Sequence, residues 1–192
     1  MPEPIKTLVA QSTLPAGGRV FSDALRVSIP PPRVTLRLQV GARSLKTVDA
    51  IRIAGRPLPI SPNSWTGADP VISRIAPDTW LMQSALHDAA DVLKAVRRGC
   101  GRRTFVVTDL SDAFVTLVLE GAQSPALLAR GCGLDWSLSA FRTSSCARTR
   151  LAQLPVVVRR ASFERFECII DRSAAQYFYD WLQDAAAALE AA

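Results

Sequence analysis

The chain has 192 residues, of which 48% are hydrophobic and 21% charged, and its formal net charge is +6. Such a composition excludes the low-hydrophobicity, high-charge regime of disordered chains, and the length suits one ordinary domain with an extension better than two small domains. No apolar run is long enough to span a bilayer and no basic start leads into an apolar stretch, so neither a membrane span nor a secretory signal is expected and the cytoplasm is the expected compartment.

Ten of the thirteen prolines fall in the first seventy residues, among them the run Pro30, Pro31 and Pro32. Proline fixes its own backbone and biases the preceding residue toward extended geometry, so residues 1–70 are expected to form an extended proline-rich arm with short strands. Within it Val34, Leu36, Leu38 and Val40 alternate with Thr35, Arg37 and Gln39, the period of a half-buried strand. Val48 to Ala54 is a second strand candidate. An arm with so little local means of burying its apolar residues folds back over the domain or lies on another protein. The second is the expectation, because proline-rich segments lose less entropy on docking.

From residue 71 strand-like and helix-like patches alternate, so 71–192 is expected to be a single α+β domain. Val71 to Ile75 and Trp80 to Ser84 read as strands, and Asp88 opens a helix whose Ala89, Val92, Leu93 and Val96 share one face, with Gly99 just beyond its end. Thr104 to Asp109 and Phe114 to Leu119 read as an antiparallel pair joined by the turn Leu110 to Ala113. Ser124 is expected to cap a helix with Pro125 at its first position, running to Gly131. A loop with Trp136 and Phe141 follows, then strands at Ala147 to Ala152, Val156 to Arg160 and Phe166 to Ile170. Ser173 with Gln176 forms a capping box for a last helix whose face is Phe178, Leu182, Ala185 and Leu189. The order strand, helix, strand, strand, helix, strand predicts a ferredoxin-like split β-α-β sandwich.

Reaction chemistry is sparse. His87 is the only histidine, so a histidine-based hydrolase has one candidate base, and it precedes a helix N-cap. Cys100, Cys132, Cys146 and Cys168 form no C-x-x-C pair and have no histidine nearby, which argues for buried thiols and against zinc. Neither G-x-G-x-x-G nor G-x-x-x-x-G-K-[ST] occurs, so the usual dinucleotide and triphosphate cradles are missing. Asp109 and Asp112 stand where a strand enters a turn and are expected to bond backbone N–H groups. Arg97, Arg98, Arg102 and Arg103 bracket Gly99-Cys100-Gly101 and offer an anion or a partner a dense cationic contact. The first two also suit a helix C-terminus. Arg148 and Arg150 alternate along a strand that faces solvent or a subunit boundary. A nucleic-acid interface would add exposed aromatics or a recognition helix, and the aromatics here sit at core-like spacings.

Several segments together carry a family resemblance: TDLSDA at Thr108 to Ala113, LLARGCGLD at Leu127 to Asp135, Ala140-Phe141, and CARTRLAQLPV at Cys146 to Val156. In these words and their order the chain resembles the gamma subunit of heterotetrameric sarcosine oxidase, a small relative of the folate-binding glycine-cleavage T-protein family. The resemblance runs from about Val71 to Leu189 and is best from Asp109 to Val156. It implies a domain of the T-protein N-terminal type in a complex that oxidatively demethylates sarcosine to glycine and hydrogen peroxide, with the one-carbon unit passed to tetrahydrofolate or released as formaldehyde. It further implies that FAD, FMN, NAD and the tetrahydrofolate site belong to the alpha and beta subunits, and zinc to the delta subunit. The chain itself would carry no catalytic residue, cofactor or metal. Arg97, Arg98, Arg102, Arg103, Arg148 and Arg150 would be its partner or anion contacts. Two other readings compete: a stand-alone folate-binding one-carbon protein and a basic RNA-associated domain.

Overall fold

The computed structural model describes Leu14 and residues 17–85 and 87–191. The chain opens with β1 (Gly17–Ser22), β2 (Leu25–Ile29) and β3 (Val34–Val40), then a 3-10 turn at Ser44–Ala50 and the short strands β4 (Arg52–Ile53), β5 (Arg56–Pro57) and β6 (Trp65–Thr66). Next come β7 (Val71–Ala76), β8 (Thr79–Ser84), α1 (Ala89–Cys100), β9 (Phe105–Asp109), β10 (Phe114–Glu120) and α2 (Ser124–Gly131). The remainder is β11 (Cys146–Leu151), β12 (Leu154–Arg160), β13 (Arg165–Asp171) and α3 (Ala175–Glu190).

Two antiparallel sheets face each other. One has the order β1-β2-β10-β13-β12-β11 and the other β6-β7-β8-β3-β9, with a small β4-β5 ladder beside them. Alternation along each strand sorts its side chains between an outer, helix-covered face and an inner, sheet-facing one. On the outer face of the second sheet Leu36, Leu38, Val40 and Trp80 pack with Val92, Val96 and Cys100 of α1. On the outer face of the first, Leu117, Val158 and Cys168 pack with Leu127 of α2 and with Phe178 and Leu182 of α3. Leu81, Val157 and Ile169 meet between the sheets.

The fold class is therefore α+β, as expected, but its assembly differs in four places. Of the expected proline-rich arm, residues 17–70 are not separate from the domain, while residues 1–13, 15 and 16 lie outside the described residues. β1 and β2 extend the first sheet, and β3 lies between β8 and β9 in the second. Leu36, Leu38 and Val40 need an apolar face opposite them, and α1 supplies it only if β3 enters the sheet. The expected single ferredoxin-like sheet is replaced by two. β8, α1 and β9 make a split β-α-β unit whose gap β3 fills, while the later strands belong to the other sheet. Third, β9 and β10 are not partners: β9 pairs with β3, and β10 pairs with β13 and β2. Their connector is a crossover, tied to one sheet by the Leu110 N–H donating to the Thr35 carbonyl (2.8 Å) and to the other by the Arg172 N–H donating to the Ala113 carbonyl (2.8 Å). Finally, Val48 to Ala54 is not one strand: residues 48–50 end a 3-10 turn, and only Arg52 and Ile53 are in a strand.

The caps follow the same logic with changed residues. Asp88 caps α1 by accepting the Asp91 N–H at 2.8 Å. Gly99 is inside the helix, and Gly101 at φ 58° ends it. Ser124 is the first residue of α2, preceded by Gln123, and its hydroxyl makes no capping bond. The Ser173–Gln176 capping box does not form. Asp171 accepts the Ser173 N–H at 2.9 Å, and Gln176 donates to Asp180 instead.

Candidate functional site

The six arginines named from sequence fall in two places. Arg97 and Arg98 project from the last turn of α1 and are exposed, as is Arg102 just beyond it. Arg103 is half-buried and largely committed, donating to the Thr47 hydroxyl at 3.1 Å and the Cys100 carbonyl at 3.3 Å. Arg148 and Arg150 belong to β11, the edge strand of the other sheet, and Arg150 donates to the Gln153 carbonyl at 2.8 Å. The α1 cluster and the β11 pair thus stand on different layers. Arg98 borders an open groove with Arg52 and Lys94 over Ala50, Ala54 and Ala95.

His87 stands in a group that its spacing in the sequence did not reveal. Its Nε2 lies 3.5 Å from Asp69 Oδ2, and Ser84 Oγ donates to the same carboxylate oxygen at 2.9 Å. These are the residue types of a hydrolytic triad, but they are wired otherwise. A nucleophilic serine must give its proton to the imidazole, and here the hydroxyl is bonded to the carboxylate while its oxygen accepts the His87 backbone N–H at 3.0 Å. Ser84 is also only 1% exposed. The group fastens the corner between β8 and α1.

Three of the four thiols are equally quiet. Burial pushes the Cys146 thiol up to about 11 despite the neighbouring Arg159, and burial also raises Cys100 and Cys168. Thiolate is the reactive form, so these sites hold little of it at neutral pH. Among the described residues no group of three or more His, Cys, Asp and Glu side chains could hold a metal ion. Asp109 behaves as a turn residue, accepting from the N–H and hydroxyl of Ser111 at 2.9 and 2.6 Å. Asp112 does not: it is 91% exposed and lies 3.9 Å from Arg172.

A dense charge network lies inside the molecule, and sequence periodicity did not find it. Arg159 on β12 and Glu167 on β13 are paired across the strands and point into the gap between the sheets, where their side chains form an ion pair. Arg159 also donates to Gln83 Oε1 at 2.7 Å, and Gln83 Nε2 donates to the hydroxyls of Thr35 and Thr116, both at 3.2 Å. Arg33 reaches the same Glu167 carboxylate at 3.3 Å. Burial alone would raise the Glu167 carboxyl, but Arg159 and Arg33 outweigh it and hold it below the usual carboxylate range. The signal available in sequence was Arg159-Arg160 inside an otherwise apolar strand, since an arginine at a buried strand position requires a partner. Beside this network, bordering Leu81, Val157 and Ile169, the sheets leave a cleft of about 290 Å³.

Arg160 points to the other face. Its guanidinium donates to the carbonyls of Trp136 (2.9 Å), Phe141 (2.7 Å) and Phe163 (2.6 Å) and lies over the Phe166 ring at 4.8 Å. The Trp136 to Phe141 loop is thereby folded into the core, where Trp136 and Phe141 meet edge to face at 5.0 Å.

Sequence comparison places this architecture. The GCVT N-terminal domain family matches residues 58–192. The chain belongs to this family. Its GCVT-type fold is similar to a chain of the heterotetrameric sarcosine oxidase from Corynebacterium sp. U-96, solved in complex with pyrrole 2-carboxylate, with a TM-score of 0.74 and 21% identity over 88% of this chain and 86% of that one. It is also similar to the glycine cleavage system aminomethyltransferase T from Bartonella henselae, with a TM-score of 0.59 and 14% identity over 87% of this chain and 45% of that one. No curated protein sequence matches the chain. Among the described residues no helix is long and apolar enough to cross a membrane.

Proposed function

We propose that this GCVT-family chain is the non-catalytic gamma subunit of a heterotetrameric sarcosine oxidase. The observation that carries the reading is the two-way coverage of the fold similarity: 88% of this chain superposes on 86% of a chain of that enzyme, so the two agree in extent as well as in topology. The wiring of Ser84 and His87 and the suppressed thiols favour a supporting role over a catalytic one. In this reading the complex oxidatively demethylates sarcosine. The alpha, beta and delta subunits hold FAD, FMN, NAD, tetrahydrofolate and zinc, and the cytoplasm is the site of action. The exposed guanidinium groups of Arg97, Arg98 and Arg102 supply cationic contacts at a subunit boundary, where arginine is favoured.

Co-expression with the large flavoprotein subunits of a sarcosine oxidase tests this. A yellow complex that retains this chain and produces hydrogen peroxide from sarcosine is expected. Failure of the chain to associate with those subunits overturns the assignment. The alternative, a stand-alone folate-binding one-carbon protein, is favoured by family membership alone and predicts that the isolated chain takes up tetrahydrofolate in calorimetry.

A further inference from the structure

Facing sheets normally fill the space between them with interdigitating side chains. Here the Arg159–Glu167 network closes one part of the gap and Leu81, Val157 and Ile169 close another, leaving a cleft of about 290 Å³ alongside. Its wall includes the aromatic ring of Phe114, and its charged lining consists of Arg37 from β3, Arg148 from β11 and Asp171 from the end of β13. The Nε of Arg37 is shielded from solvent and has no hydrogen-bond partner among the described residues. That atom is out of a guest's reach, but the Arg37 guanidinium as a whole makes no hydrogen bond or ion pair among the described residues and lines the cleft. Leaving a largely desolvated charged group unpaired is costly, so the position favours an acceptor that the fold itself does not provide.

We infer that this inter-sheet cleft is a binding site for a small organic monoanion with an apolar body. The apolar body lies against Leu81, Val157, Ile169 and Phe114, and the anionic group is held by Arg37 and Arg148, whose guanidinium forks match carboxylate or sulfonate geometry. Asp171 sets the charge of the guest. One of its oxygens already accepts from the N–H and hydroxyl of Ser173, which hold it ionised, so two guanidinium groups and one carboxylate leave a single positive charge to neutralise. A monoanion satisfies that balance, and a cation or a dianion does not. The size agrees: about 290 Å³ is at the small end of ligand clefts, which run from about 300 to 1,000 Å³. The inference concerns this chain alone and is independent of which subunits it joins.

The experiment uses the full chain with three probes: 8-anilinonaphthalene-1-sulfonate followed by fluorescence, benzoate as competitor, and inorganic phosphate as a bare anion. Methyl NMR of Leu81, Val157 and Ile169 locates the binding. One sulfonate probe per chain is expected to bind saturably, to shift those methyls, and to be displaced by benzoate but not by phosphate at equal concentration. Arg37→Gln is expected to weaken binding by about tenfold, the loss of one charge-assisted contact, and Arg130→Gln, at an exposed position on α2, to leave it unchanged. Should Arg37→Gln fail to fold, Arg148→Gln changes an exposed side chain and is expected to weaken binding by about fivefold. Unshifted methyls, displacement by phosphate as effective as by benzoate, or unchanged affinity in the folded arginine variants overturns the inference.

Discussion

Arg159 and Glu167 sit directly opposite each other on neighbouring strands and pair in the space between the two sheets, where the Arg159 side chain is 1% exposed and that of Glu167 is 9% exposed. Removing one member leaves the other charge buried and unmatched, which costs about 3 to 5 kcal/mol. Glu167→Gln is therefore expected to lower the thermal midpoint by roughly 10 °C at neutral pH, read by circular dichroism. Replacing Arg159 and Glu167 together by methionine is expected to recover part of that loss, because the fully buried guanidinium goes with the carboxylate and only the more accessible Arg33 and Arg165 lose a partner.

The same pair sets an acid limit. A carboxyl whose folded-state pKa lies below its unfolded value adds stability that is fully present above the unfolded value, here near 4.5, and is lost as pH falls through the folded value. Midpoints measured from pH 7 down to pH 3 are expected to fall below about pH 4.5 in the wild-type chain. In Glu167→Gln that contribution to the slope disappears. Equal acid slopes in the two chains would contradict the assignment of this linkage to Glu167.

Arg160 joins three carbonyls that, among the described residues, no other single side chain reaches together. In Arg160→Met those acceptors lose their donor at a cost of about 2 to 4 kcal/mol. Hydrogen exchange is expected to accelerate across residues 132–145 more than in the strands. A uniform acceleration over the whole chain would instead mean that the arginine supports the fold in general.

Glycine to alanine inside a helix normally stabilises by about 1 kcal/mol. At Gly99 the sign reverses, since a Cβ there would stand 2.1 Å from the Arg52 carbonyl oxygen and 2.8 Å from the Ile53 side chain. Gly99→Ala is expected to destabilise by about 1 to 3 kcal/mol in urea denaturation, because α1 must lift off β4.

Of the four thiols, Cys100, Cys146 and Cys168 are buried and Cys132 is half-buried. An aromatic disulfide reagent at pH 8 is expected to label Cys132 in the native chain and all four cysteines in denaturant. Fast labelling of Cys146, whose thiol is held near 11, would contradict the packing of β11 against Ser64 and Arg74.

Local pattern was informative where the physics is local. The cap of α1 at Asp88, its apolar face, and the strands at Val34–Val40 and Phe114–Glu120 are legible from spacing and residue type, because one helix turn or one pleat decides them. What escaped was the choice of partner. Thr104 to Asp109 and Phe114 to Leu119 look like a hairpin because four turn-prone residues link them, yet Ser111 donates its hydroxyl hydrogen bond within the turn while accepting the N–H of Thr35, far back in the chain. The candidate arginines show the same division. Their exposure at a helix end and on a strand follows from composition, whereas the cleft that Arg148 shares with Arg37 exists only once two sheets are stacked.

The placement of β3 also orders events in time. A ribosome delivers Val34–Val40 well before β8 and later still before β9, so the nascent polypeptide carries an unmated apolar ribbon until both flanks have been synthesised. Non-local pairing of this sort folds slowly and leaves sheet edges open to self-association meanwhile, which makes rapid overproduction a route to insoluble material and slow, cool synthesis the better way to obtain this molecule.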